Sequence, residues 1–353
     1  MTAQKHSVGI VGLGGMGSAH AEWLLAMEDE ITLAGSFDIA TARQDHAKSI
    51  GITAFESYDA LLSDPSIDIV IVATPNHLHK ELAIRAMQAG KNVICEKPVM
   101  LDSTELAEVL KVSEETGKLF VVHQNRRWDA DFNVVKKLYL EDSMGQVYRI
   151  ESKVHGSRGI PGDWRAKKEY GGGMMLDWGV HLLDQIMWMV PARLSTVFCQ
   201  MTNVRYDEVD DGFSATLSFE NGLTVLVEVM TCNYITAPRW YVNSAEGTAI
   251  IRDWSLNGEI AILEDFDDKD AKPIIAGAGL TKTMAPRNSN SIVTKPLPKV
   301  SVDHNDYYRN VMDAIDGKDE IIVKNCEVMR VMKLMEACFE SSAKNQVVAF
   351  ENQ

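Results

Sequence analysis

The sequence has no basic surplus. It sets 35 Lys and Arg against 50 Asp and Glu, a net charge of −15 over 353 residues. That argues against a nucleic-acid partner, which requires positive charge to neutralise phosphates. The acidity reads instead as a solvated surface. Cysteine is scarce and poorly placed for pairing. Cys95, Cys199, Cys232, Cys326 and Cys338 are odd in number, scattered, and contain no CxxC. Neither a disulfide framework nor a zinc site is expected, and reduced thiols are. No apolar run approaches membrane-spanning length. No apolar signal region precedes the first glycine loop, and no internal repeat is visible. These absences lead to the expectation of a cytoplasmic protein with no membrane, nucleic-acid or metal partner. The length exceeds what one compact core fills, so two domains are expected.

What is present begins with alternation. Ser7–Val11 and Ile31–Phe37 read as strands, with a helical pattern over Ala19–Met27 between them. Ile67–Ala73 is a β-branched run suited to a strand covered on both faces. Lys80–Ala89 reads as a helix, Asn92–Cys95 as a strand, Ser103–Thr116 as a helix and Leu119–His123 as a strand. Such alternation predicts an α/β fold with a doubly wound parallel sheet, of Rossmann type, over residues 1–126.

The loop after the first strand reads Gly12-Leu13-Gly14-Gly15-Met16-Gly17 and opens a helix. In that setting each glycine does something different. Gly12 makes the tight turn, Gly14 admits a pyrophosphate and Gly17 lets helix and strand touch. Gly15 and Met16 complete the loop. The helix N-terminus supplies N–H donors and the positive dipole end. Asp38 ends the second strand about 20 residues later, as the dinucleotide fingerprint requires. A carboxylate there accepts ribose hydroxyls and repels a 2′-phosphate, which favours NAD over NADP, although Arg43 stands nearby. Three further strands end in polar groups: Thr74-Pro75-Asn76-His77, Glu96-Lys97-Pro98 and His123-Gln124-Asn125-Arg126. Ligands of such sheets sit at these carboxyl ends. Thr74, Pro75, Asn76, His79, Glu96, Lys97 and Asn125 are therefore expected at the cofactor, with Glu96 orienting the Lys97 ammonium.

The second half, 127–353, changes period. Trp128–Glu141 reads as a helix, and Val147–Val154, Ser195–Thr202, Phe213–Phe219, Thr224–Thr231 and Gly247–Arg252 alternate as strands. An α+β domain with an open, mainly antiparallel sheet is expected. Gly173–Met189 is apolar almost throughout; its polar exceptions, Asp177, His181, Asp184 and Gln185, form one helical stripe. The pattern predicts that Asp177 holds one nitrogen of His181, freeing the other to take a proton. Met284–Val300 reads as a loop, 303–316 and 325–342 as helices, and Gln346–Phe350 as a closing strand.

Gly12-x-Gly14-x-x-Gly17, Thr74-Pro75-Asn76-His77, Glu96-Lys97-Pro98 and the Asp177/His181 pair together resemble the glucose–fructose oxidoreductase / inositol dehydrogenase / MocA family. The resemblance covers essentially the whole chain. It implies Lys97 as a catalytic residue beside Asp177 and His181, a cis Lys97–Pro98 bond, and a homo-oligomer formed through the second sheet. The implied reaction is hydride transfer between NAD(P) and a ring carbon of a sugar, cyclitol or glycoside, for instance at glucoside C3. Lys97, Arg126, Lys153, His155, Trp164, Arg165, Asp177 and His181 are the residues expected to hold that substrate. Competing readings are a glycoside-cleaving enzyme that oxidises its sugar transiently, a dehydrogenase of a non-carbohydrate ring, and a non-catalytic NAD-dependent sensor or repressor.

Overall fold

The computed structural model describes residues 5–267 and 269–351. Its first part runs β1 (His6–Val11), α1 (Gly15–Ala26), β2 (Ile31–Phe37), α2 (Thr41–Ser49), β3 (Thr53–Ala54), α3 (Tyr58–Ser63), β4 (Ile69–Val72), α4 (His79–Gln88), β5 (Asn92–Cys95), α5 (Ser103–Thr116) and β6 (Phe120–Val122). The six strands are parallel, in the order β3-β2-β1-β4-β5-β6. All four residues of β4 are buried, as a β-branched run requires between two helical layers. The order reverses between β1 and β4, the point at whose strand ends such sheets bind their ligands. Helix ends follow local chemistry. Asp102 caps α5 by accepting the Glu105 N–H at 2.8 Å, and Gly117 closes it with a φ of 64°.

The second part contains α6 (Ala130–Leu140), β7 (Val147–His155), a π-helical turn at Met175–Gly179 running into α7 (Val180–Met189), β8 (Leu194–Thr202), β9 (Gly212–Phe219), β10 (Thr224–Met230), β11 (Trp240–Ser244), β12 (Gly247–Ile251), β13 (Gly258–Leu263), β14 (Ile274–Ala276), β15 (Gly279–Thr281), β16 (Ile292–Pro296), α8 (Asp306–Ile315), α9 (Asn325–Lys344) and β17 (Val348–Ala349). Nine of these strands form an open sheet, β16-β13-β12-β11-β7-β10-β9-β8-β17, antiparallel except where β7 meets β10. Burial alternates along β9 and β10, so Phe213, Ala215, Leu217, Val225, Val227 and Val229 face the core, while α9 packs on the neighbouring β8 and the Met175–Gly179 turn meets β10.

The last helices return to the first sheet. Tyr308 Oη on α8 lies 2.6 Å from His20 Nδ1 on α1, and Asn325 on α9 donates to the Phe120 carbonyl at 3.0 Å. Glu336 on α9 accepts from the Ser103 backbone N–H at 2.7 Å and its hydroxyl at 2.9 Å. The two halves are thus interlocked at their far ends as well as at the crevice.

Strand β16 falls inside the stretch expected to be a loop, and β11 and β13 also lie outside the sequence expectation. The edge strand β16 is mostly exposed and carries Lys295 and Pro296, so it lacks the buried alternation that marks an interior strand. Helix α2 buries only Ala47, too little apolar periodicity to be read. The expected helix from Gly173 begins instead as a π turn.

Asp184, placed by sequence on the polar stripe of α7, has a structural partner. Both its oxygens accept from Arg127, at 2.7 and 2.8 Å, and the pair is almost fully buried. Arg127 also donates to Glu327 on α9 at 2.6 Å. Removing one member of a buried pair strands the other charge. Asp184→Ala is therefore expected to lower unfolding stability by about 3–5 kcal/mol, read from denaturant titration; a loss below about 1 kcal/mol contradicts this role.

Candidate active site

The glycine loop is built to admit a ligand. Gly12 has a φ of +88°, and a Cβ there would lie 2.6 Å from the Ala73 carbonyl oxygen. A Cβ on Gly17 would lie 1.9 Å from the Gly12 carbonyl oxygen, so α1 and the loop touch only because both are glycine. Gly14 and Gly15 have nothing within 4 Å of the same position. The N-terminus of α1 has no side-chain cap and no acid in its first turn. An open cradle beside an uncapped helix terminus suits a pyrophosphate. Asp38 accepts the Leu13 N–H at 2.7 Å and the Ala40 N–H at 2.8 Å, which fixes its carboxylate against the loop. These residues fit a dinucleotide. Arg43 is exposed on α2.

The strand ends sort differently from the sequence expectation. Thr74 Oγ1 is buried without a partner. The Asn76 amide donates 2.9 Å to the Gly171 carbonyl of the second half. His79 is wholly buried: one ring nitrogen lies 2.8 Å from the Thr74 carbonyl, the other 3.1 and 3.2 Å from those of Pro98 and Val99. It braces two loops, with both ring nitrogens taken up by main-chain carbonyls. Glu96 does not hold the Lys97 ammonium it was expected to orient. Its Oε1 lies 2.9 Å from His20 Nε2 and 2.6 Å from His123 Nδ1, while Oε2 accepts the Lys97 backbone N–H at 3.1 Å. It therefore fixes the main chain of Lys97 and leaves the ammonium to other partners. Burial alone would raise its pKa; His123 and His20 reverse that and hold it well below the usual carboxylate range. Among the described residues, His20, Glu96 and His123 are the one trio close enough to hold a metal ion. Hydrogen bonds between the imidazoles and the carboxylate already account for the grouping.

Lys97 follows β5 and precedes a cis Lys97–Pro98 bond. Its ammonium crosses to the π turn and donates to the Asp177 carbonyl at 2.8 Å and to Oδ1 at 3.1 Å. Asp177 Oδ2 lies 3.6 Å from Arg165 Nε. Asp177 thus holds Lys97, and the expected bond from its carboxylate to His181 is absent. The physical reason is the π turn, which places the two side chains off the spacing of a regular α-helix. His181 stands beside this pair, with Nδ1 buried and without a partner. Burial, then Lys97 and Arg126, keep its pKa well below 6.5, so it is a neutral imidazole at pH 7. Gln185, the last member of the stripe, donates to the Arg126 carbonyl at 2.7 Å.

Beyond Asp177 lies a cavity of about 670 Å³ whose wall includes Arg126, His155, Arg158, Arg165, Trp178 and Trp254. The Arg126 guanidinium lies 4.4 Å from the Trp178 ring and 5.3 Å from that of Trp254. His155 is held by Glu228 at 2.8 Å. Trp164 packs under Arg165, at 4.5 Å, and is not on the wall. Lys153 is not there either: its ammonium is tied to Glu151 at 2.5 Å. Asn125 is half-buried in the turn after β6. Sequence reasoning passes over Arg158, Trp178 and Trp254. Trp178 is adjacent to Asp177 and was within reach; Trp254 and Arg158 come from loops with no local signal.

Residues 6–124 match the family model for an oxidoreductase family with an NAD-binding Rossmann fold, and 132–250 match the GFO/IDH/MocA C-terminal domain. A crystal structure of an NAD-binding protein from Listeria innocua is 45% identical with a TM-score of 0.94, covering 98% of this chain and all of that one. The scyllo-inositol 2-dehydrogenase (NADP(+)) of Bacillus subtilis is 28% identical over 98% of this chain and 96% of its own. The myo-inositol 2-dehydrogenase of Thermotoga maritima is 30% identical over 54% of this chain and 60% of its own.

Three buried imidazoles generate an acid sensitivity. His20, His79 and His181 are all held below 6.5, with burial the first cause. The unfolded chain takes up protons there that the folded chain refuses, so stability falls as pH drops through about 6.5. Each contributes up to about 1.4 kcal/mol per pH unit. Asp210, pushed up to about 6 by burial, opposes them below its own pKa. A lower denaturation midpoint at pH 5.5 than at pH 7 is expected; an unchanged or higher midpoint overturns this account.

Proposed function

The chain belongs to the GFO/IDH/MocA family of NAD(P)-binding oxidoreductases, and we propose that it oxidises a ring secondary alcohol of a cyclitol, sugar or glycoside, with NAD as the preferred acceptor. The observation that carries this reading is the meeting of Lys97 with Asp177, 2.8 and 3.1 Å apart, beside a neutral His181 and a tryptophan-walled cavity. Two relatives are inositol 2-dehydrogenases, which supports a polyhydroxylated ring. The Asp38 carboxylate at the glycine loop supports NAD, since it would repel a 2′-phosphate.

When bound, the nicotinamide supplies the hydride acceptor. The protein's own part is the proton. His181 is uncharged at neutral pH and takes the hydroxyl proton. Lys97 donates to the same oxygen and stabilises the charge that grows on it. Asp177 keeps the ammonium in place and compensates it. Trp178 and Trp254 offer apolar faces to a ring, and Arg126 and Arg165 offer donors to its hydroxyls. No observation favours the glycoside-cleaving or sensor readings.

A positioned base contributes roughly 10²–10⁴ in rate. Lys97→Ala and His181→Ala are each expected to lower kcat/KM at least about 100-fold while NAD still binds in a fluorescence titration. NADH formation screened over inositols, monosaccharides and aryl glucosides supplies the substrate; full activity in either variant removes that residue from the mechanism. Asp38→Ala is expected to narrow the gap between NAD and NADP dissociation constants, and an unaltered ratio counts against the assigned preference.

A further inference from the structure

The cavity's charge runs against that of the molecule. The chain carries −15 overall, yet the wall presents Arg126, Arg158 and Arg165 against a single carboxylate, Asp177. That carboxylate is already committed to Lys97. Arg165 is satisfied by Asp163 at 2.8 Å. Arg126 spends one guanidinium nitrogen on Asp129 at 2.9 Å and keeps Nε buried without a partner. Arg158, on the loop after β7, is exposed and makes no ion pair among the described residues. A cavity lined by one uncompensated cation and a second that is partly unsatisfied attracts an anion. The cofactor's phosphates do not supply it, because no residue of the glycine loop or of β1–β5 lines this space.

We propose that the natural substrate is a hydroxylated ring bearing an anionic group, a carboxylate or a phosphate, which Arg158 binds with help from Arg126 while the ring lies against Trp178 and Trp254. The proposal rests on the dehydrogenase reading for its reaction, and on the cavity alone for its charge. Arg158 lines the cavity and Lys97 does not, so Arg158 sets which ring is accepted and does not act on the reacting oxygen. The guanidinium fork matches either oxyanion through paired N–H donors.

The test uses the NAD-loaded protein and matched panels of hexoses, their uronates and their 6-phosphates. Calorimetry reads binding, and NADH absorbance separately reads turnover. At least one anionic class is expected to bind about 10- to 100-fold more tightly than its neutral counterpart, the range of a hydrogen bond to a charged group. That advantage is expected to shrink with added salt. In Arg158→Gln, whose exposed loop position leaves folding intact, the anionic-to-neutral affinity ratio is expected to fall about tenfold or more. The uronate and phosphate arms tell the two oxyanions apart. Neutral rings binding as well as both anionic classes, or an unaltered ratio in Arg158→Gln, overturns the proposal. Selective anion binding with no NADH from any panel member leaves the anion site standing and defeats the dehydrogenase reading instead.

Discussion

One contact between the two halves organises the molecule: the Lys97 ammonium on the Asp177 carbonyl and carboxylate. A lysine at the end of a buried strand must find an acceptor, because an unpaired charge is costly away from water. Its own strand end offers none, since Glu96 is turned inward. The acceptor comes from a π turn some 80 residues later. For the contact to form, the second sheet must dock on the crevice of the first, and the Asn76–Gly171 bond and the returning helices α8 and α9 hold that docking. The cavity, the neutral imidazole and the basic wall all lie around the same seam.

Behind the seam, Glu96 joins three elements. Its carboxylate gathers His20 from α1, His123 from the end of β6 and the Lys97 main chain, and His20 passes on to Tyr308 of α8. Every oxygen of this buried acid is used, which is the condition under which a buried charge stabilises a fold. The lysine is thereby fixed at both ends, its backbone by Glu96 and its ammonium by Asp177. Such restraint on either side of a flexible four-carbon stem turns a mobile charge into a positioned donor. Charge is also distributed with a purpose. The chain is acidic as a whole, while three arginines stand on the cavity wall against one carboxylate, so the wall attracts an anion.

Much of this is legible in the chain alone. The parallel sheet follows from β-branched runs such as Ile69–Val72 and from the glycines that let α1 touch the loop. Those signals are local: an apolar run, a turn, a helix start. Lys97, Asp177 and His181 can also be found, because charged residues interrupting apolar segments stand out. Their connections cannot. Two residues four apart read as partners, yet the π turn gives Asp177 to Lys97 and leaves His181 unbonded. His79 and Glu96 read as open strand ends but are sealed beneath the loops they brace, and Lys153 pairs with Glu151 instead of reaching the cavity.

The sequence by itself determined the first sheet, the glycine loop and the place of Lys97, Asp177 and His181 as polar residues set into apolar segments, since each depends on the chemistry of a short segment. Only the tertiary structure decided which acid neutralises which base, which strands sit at the edges of the second sheet, and that Arg126, Arg158, Trp178 and Trp254 share one wall. Those outcomes depend on distances between segments far apart in the chain, and a pairing across such a distance is set by how two sheets dock.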